Sequence, residues 1–135
     1  MIVEHKAAIG ALLAGVAPTP LHDTDVPDVP SYPYAVWRMT TGIGEGTKIC
    51  GDTDTEVFYV YVTSVGMTAD SAAIIADKAR TLLVDQRPVV AGWKLDRLKR
   101  STSIPIQADR DVTDPKTNRH PLYAVDTYTF TSRKD

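Results

Sequence analysis

Between Val57 and Ser64 the chain reads VFYVYVTS, eight residues without a charge, a glycine or a proline. β-Branched and aromatic residues at this density make a strand. Its alternation puts Phe58, Val60 and Val62 on one face and Val57, Tyr59, Tyr61 and Thr63 on the other. A strand with one wet face keeps that face polar. Here both faces are largely apolar or aromatic, so the strand is central in its sheet or meets a partner across its second side. Gly66 ends it. Thr68 supplies an N-cap and Asp70 an acid in the first turn, so Ala69 to Val84 reads as a helix. Its buried stripe is Ala72, Ile75, Ala76, Ala79, Leu82 and Leu83, and the alanines allow a close approach to a sheet.

The remaining elements follow from this pair. Met1 to Val16 carries Ile2, Ile9, Leu12, Leu13 and Val16 at helical spacing, with Gly10 and Gly15 lowering its intrinsic propensity. From Ala17 to Pro33 five prolines and Asp23, Asp25 and Asp28 predict an extended surface connection with neither helix nor central strand. Tyr34 to Thr40 is a strand, and Gly42 to Glu56 a polar hairpin loop. Pro88 and Gly92 mark a turn before Trp93 to Ser103, read as a strand that continues extended through Ile104 and Ile106. The spacing of Leu95 and Leu98 would also suit a short helix. Asp109 to Pro121 is a long exposed loop, and Leu122 to Ser132 the closing strand. The expectation is one α+β domain spanning residues 1–135, with a mainly antiparallel four-stranded sheet, two helices packed on one face and long polar hairpin loops.

Charge and composition exclude several classes of function. A net charge of −2 removes a globally basic nucleic-acid binder. The single Cys50 makes no internal disulfide, and His5, His22 and His120 do not fall at structural zinc spacings. No apolar run reaches the roughly 20 residues that span a bilayer. Glu4 and His5 stand where an export signal places its basic and apolar regions, so the reading is a soluble intracellular domain without one.

Motifs for chemistry are weak throughout. The run Gly42-Ile-Gly-Glu-Gly46 lies between strands and lacks the following helix or Lys-Ser/Thr that a phosphate cradle needs. Asp52, Asp54 and Glu56 alternate as Ca²⁺ ligands do, but Val57 stands where the calcium loop needs glycine. Asp109, Asp111 and Asp114 form a second acidic cluster interrupted by Arg110, and both clusters read as solvated loops. Ser64 has no Gly-x-Ser-x-Gly elbow, and Cys50 near Lys48 reads as an exposed bystander. No catalytic residue, cofactor or metal is expected. Lys94, Arg97, Lys99 and Arg100, with Asp96, make the one basic concentration. It reads either as a solvated edge strand protected by charge or as a salt-bridging face toward an acidic neighbour, for which the Asp-rich connection of a second copy is a candidate.

The strand Val57–Gly66 running directly into the Thr68-capped helix is followed by a basic strand. Next come the polar excursion Pro105-Ile-Gln-Ala-Asp-Arg-Asp111 and the strand Leu122-Tyr-Ala-Val-Asp-Thr-Tyr-Thr-Phe130. In this order of elements the chain resembles, over nearly its whole length, the tail terminator (tail completion) proteins of long-tailed bacteriophages, related to the lambda minor tail protein. The resemblance implies a non-enzymatic virion protein, assembled in the host cytoplasm and located at the head-proximal end of the tail. It implies a homo-hexameric ring that stops polymerisation of the major tail tube protein and offers a surface to the head–tail connector or stopper. Genome DNA passes through its lumen without sequence-specific binding, and no membrane is involved. On this reading Asp52, Asp54 and Glu56 line an acidic lumen, while Tyr59, Tyr61, Arg97, Arg100 and Arg110 serve subunit or ring contacts. Two other readings are a connector or stopper of the neck, and a small α+β ligand-binding domain using Tyr59, Tyr61, Tyr128 and Trp37.

Overall fold

The computed structural model describes residues 2–41, 43–44 and 55–134. Its elements are α1 (Ile2–Leu13), a 3-10 turn (Ala14–Val16), β1 (Leu21–Asp23), β2 (Tyr34–Met39), β3 (Ile43–Gly44), β4 (Thr55–Gly66), α2 (Ala69–Leu83), β5 (Trp93–Leu95), β6 (Lys99–Ala108) and β7 (Leu122–Lys134). The class is α+β, as expected.

The sheet has seven strands rather than four, in the order β1-β2-β4-β7-β5, with β3 beside β4 and β6 beside β7. Three local effects account for the difference, the first being that Ile43-Gly44, inside the expected hairpin loop, pairs antiparallel with Val57 and Glu56 of β4. Leu21-His22-Asp23 pairs in parallel with Ala35-Val36-Trp37, because the prolines of this connection leave those three residues free to make an edge strand. An edge strand needs backbone bonds on one side only. Trp93 to Ser103 is not one strand but two. The chain breaks at Asp96 to Leu98 so that Leu95 and Leu98, three apart, both enter the core. Their spacing, which suits a helix, is met here by a break in a strand.

β4 and β7 form the spine, antiparallel from Thr55↔Arg133 to Gly66↔Leu122. Both helices lie on one face of it. Ile9 and Leu13 of α1, with Ala79 and Leu83 of α2, join Trp37, Phe58, Val60, Val62, Tyr128 and Phe130 in one cluster. Each such large apolar side chain taken fully out of water contributes about 1.5–3 kcal/mol. The stripe expected on α2 is the one buried at Ala72, Ile75, Ala79 and Leu83, while Ala76 and Leu82 are half-buried at its margin. The N-terminus of α2 is closed reciprocally: the Ser71 N–H donates to Thr68 Oγ1 at 3.1 Å, and the Thr68 N–H donates to Ser71 Oγ at 3.3 Å. Gly66, just before it, is packed so closely on Ser71 and Ala72 that a Cβ has no room.

Candidate functional site

The second face of the sheet carries Tyr34, Val36 and Arg38 of β2, Val57, Tyr59, Tyr61, Thr63 and Val65 of β4, and Tyr123 to Thr131 at alternate positions of β7, as the strand register requires. Among the described residues no helix covers it. Tyr59 and Tyr61 sit near its middle, half-buried by their neighbours. The Arg38 guanidinium lies 5.4 Å from the Tyr61 ring centroid, a cation–π contact across the β2–β4 pair. Hydroxyls tie the strands on either side: the Tyr59 N–H donates to Thr40 Oγ1 at 3.0 Å, and Thr129 Oγ1 donates to the Phe58 carbonyl at 3.1 Å. A face of tyrosine, threonine and valine tolerates water and also suits a protein contact.

One end of this face is partly roofed. The connection through Val26–Pro30 meets Val112–Pro115 of the β6–β7 loop above Tyr32 and Tyr34, enclosing about 200 Å³. Tyr32 and Tyr34 pack at 5.5 Å between ring centroids, with His22 edge-on to Tyr34. Burial pushes both phenols above their ordinary pKa, with nearby negative charge including Asp109 adding to it. Asp114 organises the loop from within, accepting from the Lys116 N–H at 3.3 Å and from Thr117 Oγ1 at 2.9 Å. It is a structural carboxylate rather than the solvated one expected, and Arg110 lies exposed in this same loop.

On the helix side, β6 reaches beyond the cover of α2. All ten of its residues are exposed, with register shifts between Arg100 and Thr102 and between Ile104 and Gln107. Between β6 and α2 runs a groove of about 240 Å³ lined by Ala73, Ala76, Asp77, Arg80, Arg100, Ile106 and Asp126 among others. Arg80 is paired with Asp77 at 2.6 Å. Asp126 is 6% exposed, and no hydrogen bond or ion pair to it occurs among the described residues. Beneath lies Tyr128, fully buried, whose hydroxyl also has no partner. Burial first, and the Asp126 charge second, push its pKa up to about 12. Asp126 was missed in the sequence, and Tyr128, grouped there with Tyr59, Tyr61 and Trp37 as one aromatic face, lies with Trp37 in the core on the opposite side of the sheet from Tyr59 and Tyr61. The signal was present, since Asp126 falls in step with Tyr128 and Phe130 on the core side of LYAVDTYTF.

The candidate residues thus occupy separate places. Asp52 and Asp54 lie outside the described residues, as do Lys48 and Cys50. Glu56 opens β4 on the helix side, opposite Ser132, with one carboxylate oxygen buried and unpartnered. Tyr59 and Tyr61 share the uncovered face; Arg97 and Arg100 stand at the β5–β6 edge; Arg110 is at the far end of the sheet. The histidines do not converge. His5 is in the core on Ser132, His22 is on β1, and the His120 ring Nδ1 is 2.7 Å from the Val112 carbonyl. Ser64 is buried. Among the described residues no three His, Cys, Asp or Glu side chains gather as metal ligands, and no helix is long and apolar enough to cross a membrane.

No family model matches the chain, and no curated protein matches it. Solved structures do. A chain from the virion of a native gene transfer agent particle superposes with a TM-score of 0.65 at 14% identity, covering 96% of this chain and 94% of that one. A second solved chain, whose description states no role, superposes with a TM-score of 0.69 at 13% identity, covering 100% of this chain and 97% of that one. At such identities the likeness establishes a shared fold, end to end.

Proposed function

We propose that this chain is a structural virion subunit. It forms a ring that caps the head-proximal end of a tail tube, stops tube polymerisation and presents the surface for head–tail joining. The observation that carries this reading is the likeness, over nearly the full length of both chains, to a chain of a gene transfer agent virion. The surfaces agree with it: a sheet face without helical cover and an exposed edge strand are what a subunit with neighbours needs. The role is one of assembly rather than catalysis. Its contacts are with further copies of itself, the tube protein and the neck, and DNA slides through the ring unread.

Gold-antibody labelling of intact particles and of separated tails tests this. Label at the head-proximal end of free tails of uniform length is the expected result. Label that stays with filled heads replaces the terminator with a connector or stopper, and particles without label overturn the virion role. Arg97→Glu with Arg100→Glu is expected to weaken tail capping while the circular dichroism spectrum stays unchanged. Undiminished capping removes those two residues from the interface.

A further inference from the structure

The sheet ends in two unlike edges, and they complement one another. At one edge stands β1; at the other, β6 is exposed along its whole length. Following the pairings across the sheet, β1 runs with β2, β2 against β4, β4 against β7 and β7 against β6. β6 therefore runs opposite to β1. If a second copy continues the sheet in the same orientation, its β1 meets this β6 antiparallel, the more stable pairing.

Backbone and charge match in that arrangement, and the helix layer stands beside them. In the backbone layer, Asp23 is level with Trp37, Val62, Asp126 and Ser103, so β1 falls opposite the middle of β6. In charge, Lys99 and Arg100 precede Ser103 on β6, and Asp23 and Asp25 lie at the end of β1 that points toward their level. Lys99, Arg100 and Asp25 have no ion pair among the described residues. In the helix layer, Lys6 reaches Asp23 at 2.7 Å and Gly10 abuts Trp37, which sets that side of α1 over the β1 edge. Val3, on the same helical side, is 72% exposed there.

We infer that the partner of β6 is the β1 edge of a second copy of this chain, so that one sheet passes antiparallel from subunit to subunit beneath the next α1. This rests on the ring reading above and specifies its contact. The contact is heterologous, giving each copy a basic donor edge and an acidic acceptor edge, the geometry that closes rings. The bulges and Pro105 in β6 confine the pairing to a few residues, which keeps a lone copy from uncontrolled edge growth.

Charge exchange tests it. Lys99→Glu with Arg100→Glu makes both edges acidic; Asp23→Lys with Asp25→Lys makes both basic. By sedimentation velocity, and by electron microscopy on purified tails, each double variant alone is expected to lose the ring species the wild-type chain forms. An equimolar mixture is expected to regain it, since every contact is again between opposite charges. Rings from either variant alone, or no recovery on mixing, overturn the edge pairing and leave the ring standing. A wild-type chain that stays monomeric both in solution and on tails overturns the ring and the edge pairing together.

Discussion

His5 and Ser132 are joined across nearly the whole chain by a buried contact of 2.7 Å between Nε2 and the hydroxyl oxygen. The imidazole also stacks on Phe58 at 4.8 Å between ring centroids and meets Trp93 edge-on at 5.1 Å. A residue read in the sequence as one of three scattered histidines is the pin between the first helix and the spine of the sheet. His5→Ala leaves a cavity and an unpaired hydroxyl, and is expected to cost about 2–4 kcal/mol in urea unfolding. A loss below about 1 kcal/mol would show that α1 is held by its aliphatic residues alone.

Tyr128 presents the opposite case, a fully buried hydroxyl with no partner. Tyr128→Phe removes an unsatisfied group and little volume, so stability at neutral pH is expected to stay level or rise by about 1 kcal/mol. The alkaline limb discriminates further. An unfolded phenol ionises near pH 10, whereas the folded one holds its proton to about 12. Between those values the wild type therefore loses stability relative to the variant, by about 1.4 kcal/mol per pH unit. Parallel stability–pH curves for the two proteins would mean that the folded phenol ionises no later than the unfolded one.

Two glycines predict opposite signs. A Cβ at Gly66 collides with Ser71 and comes within 3.0 Å of the Ala72 backbone nitrogen, so Gly66→Ala forces the strand off the helix cap. The expected cost is about 1–3 kcal/mol. A Cβ at Gly10 meets the edge of the Trp37 ring at 3.4 Å, an ordinary contact, within a helix that gains from alanine. Gly10→Ala is expected to stabilise by about 0.5–1 kcal/mol, and thermal melts of the two variants check both signs.

The Lys6 ammonium lowers the Asp23 pKa by hydrogen bonding, with Thr24 Oγ1 helping. The sign is that of a depressed carboxylate: the contribution is present above the ordinary value of 3.8 and is lost as pH falls through the lowered one. Both side chains are about half exposed, so Lys6→Ala is expected to shift stability by less than about 1 kcal/mol at pH 7. That difference should shrink as the acid limb is descended. A gap that persists at acid pH would assign the effect to the Lys6 ammonium over the Trp37 ring instead.

The long periodic segments were legible because their information is local. VFYVYVTS and the capped helix that follows need only alternation, a cap and an alanine-rich stripe to be read, and both stand where expected. Leu21-His22-Asp23 was hidden because three residues carry no period and the pairing that makes them a strand lies with Ala35 to Trp37. The break before Leu98 was hidden for a related reason, since only the core reveals that both leucines point inward. The surfaces followed the same rule. Two apolar faces on one strand disclosed a face without helical cover, whereas the matching of β6 to β1 depends on strand directions that no local pattern encodes.

That spine has a consequence in time as well as in space. β4 acquires its long partner only after α2, β5 and β6 have been traversed, so its pairing closes a large loop and comes late. Until β7 arrives, the chain's most apolar strand has one of its long edges open and both faces without their final packing. Short uncharged stretches of this kind are where nascent chains mispair. The segment that organises the finished molecule is therefore also its principal hazard during synthesis, and the step that ends the hazard is the docking of the strand bearing Tyr128 and Phe130.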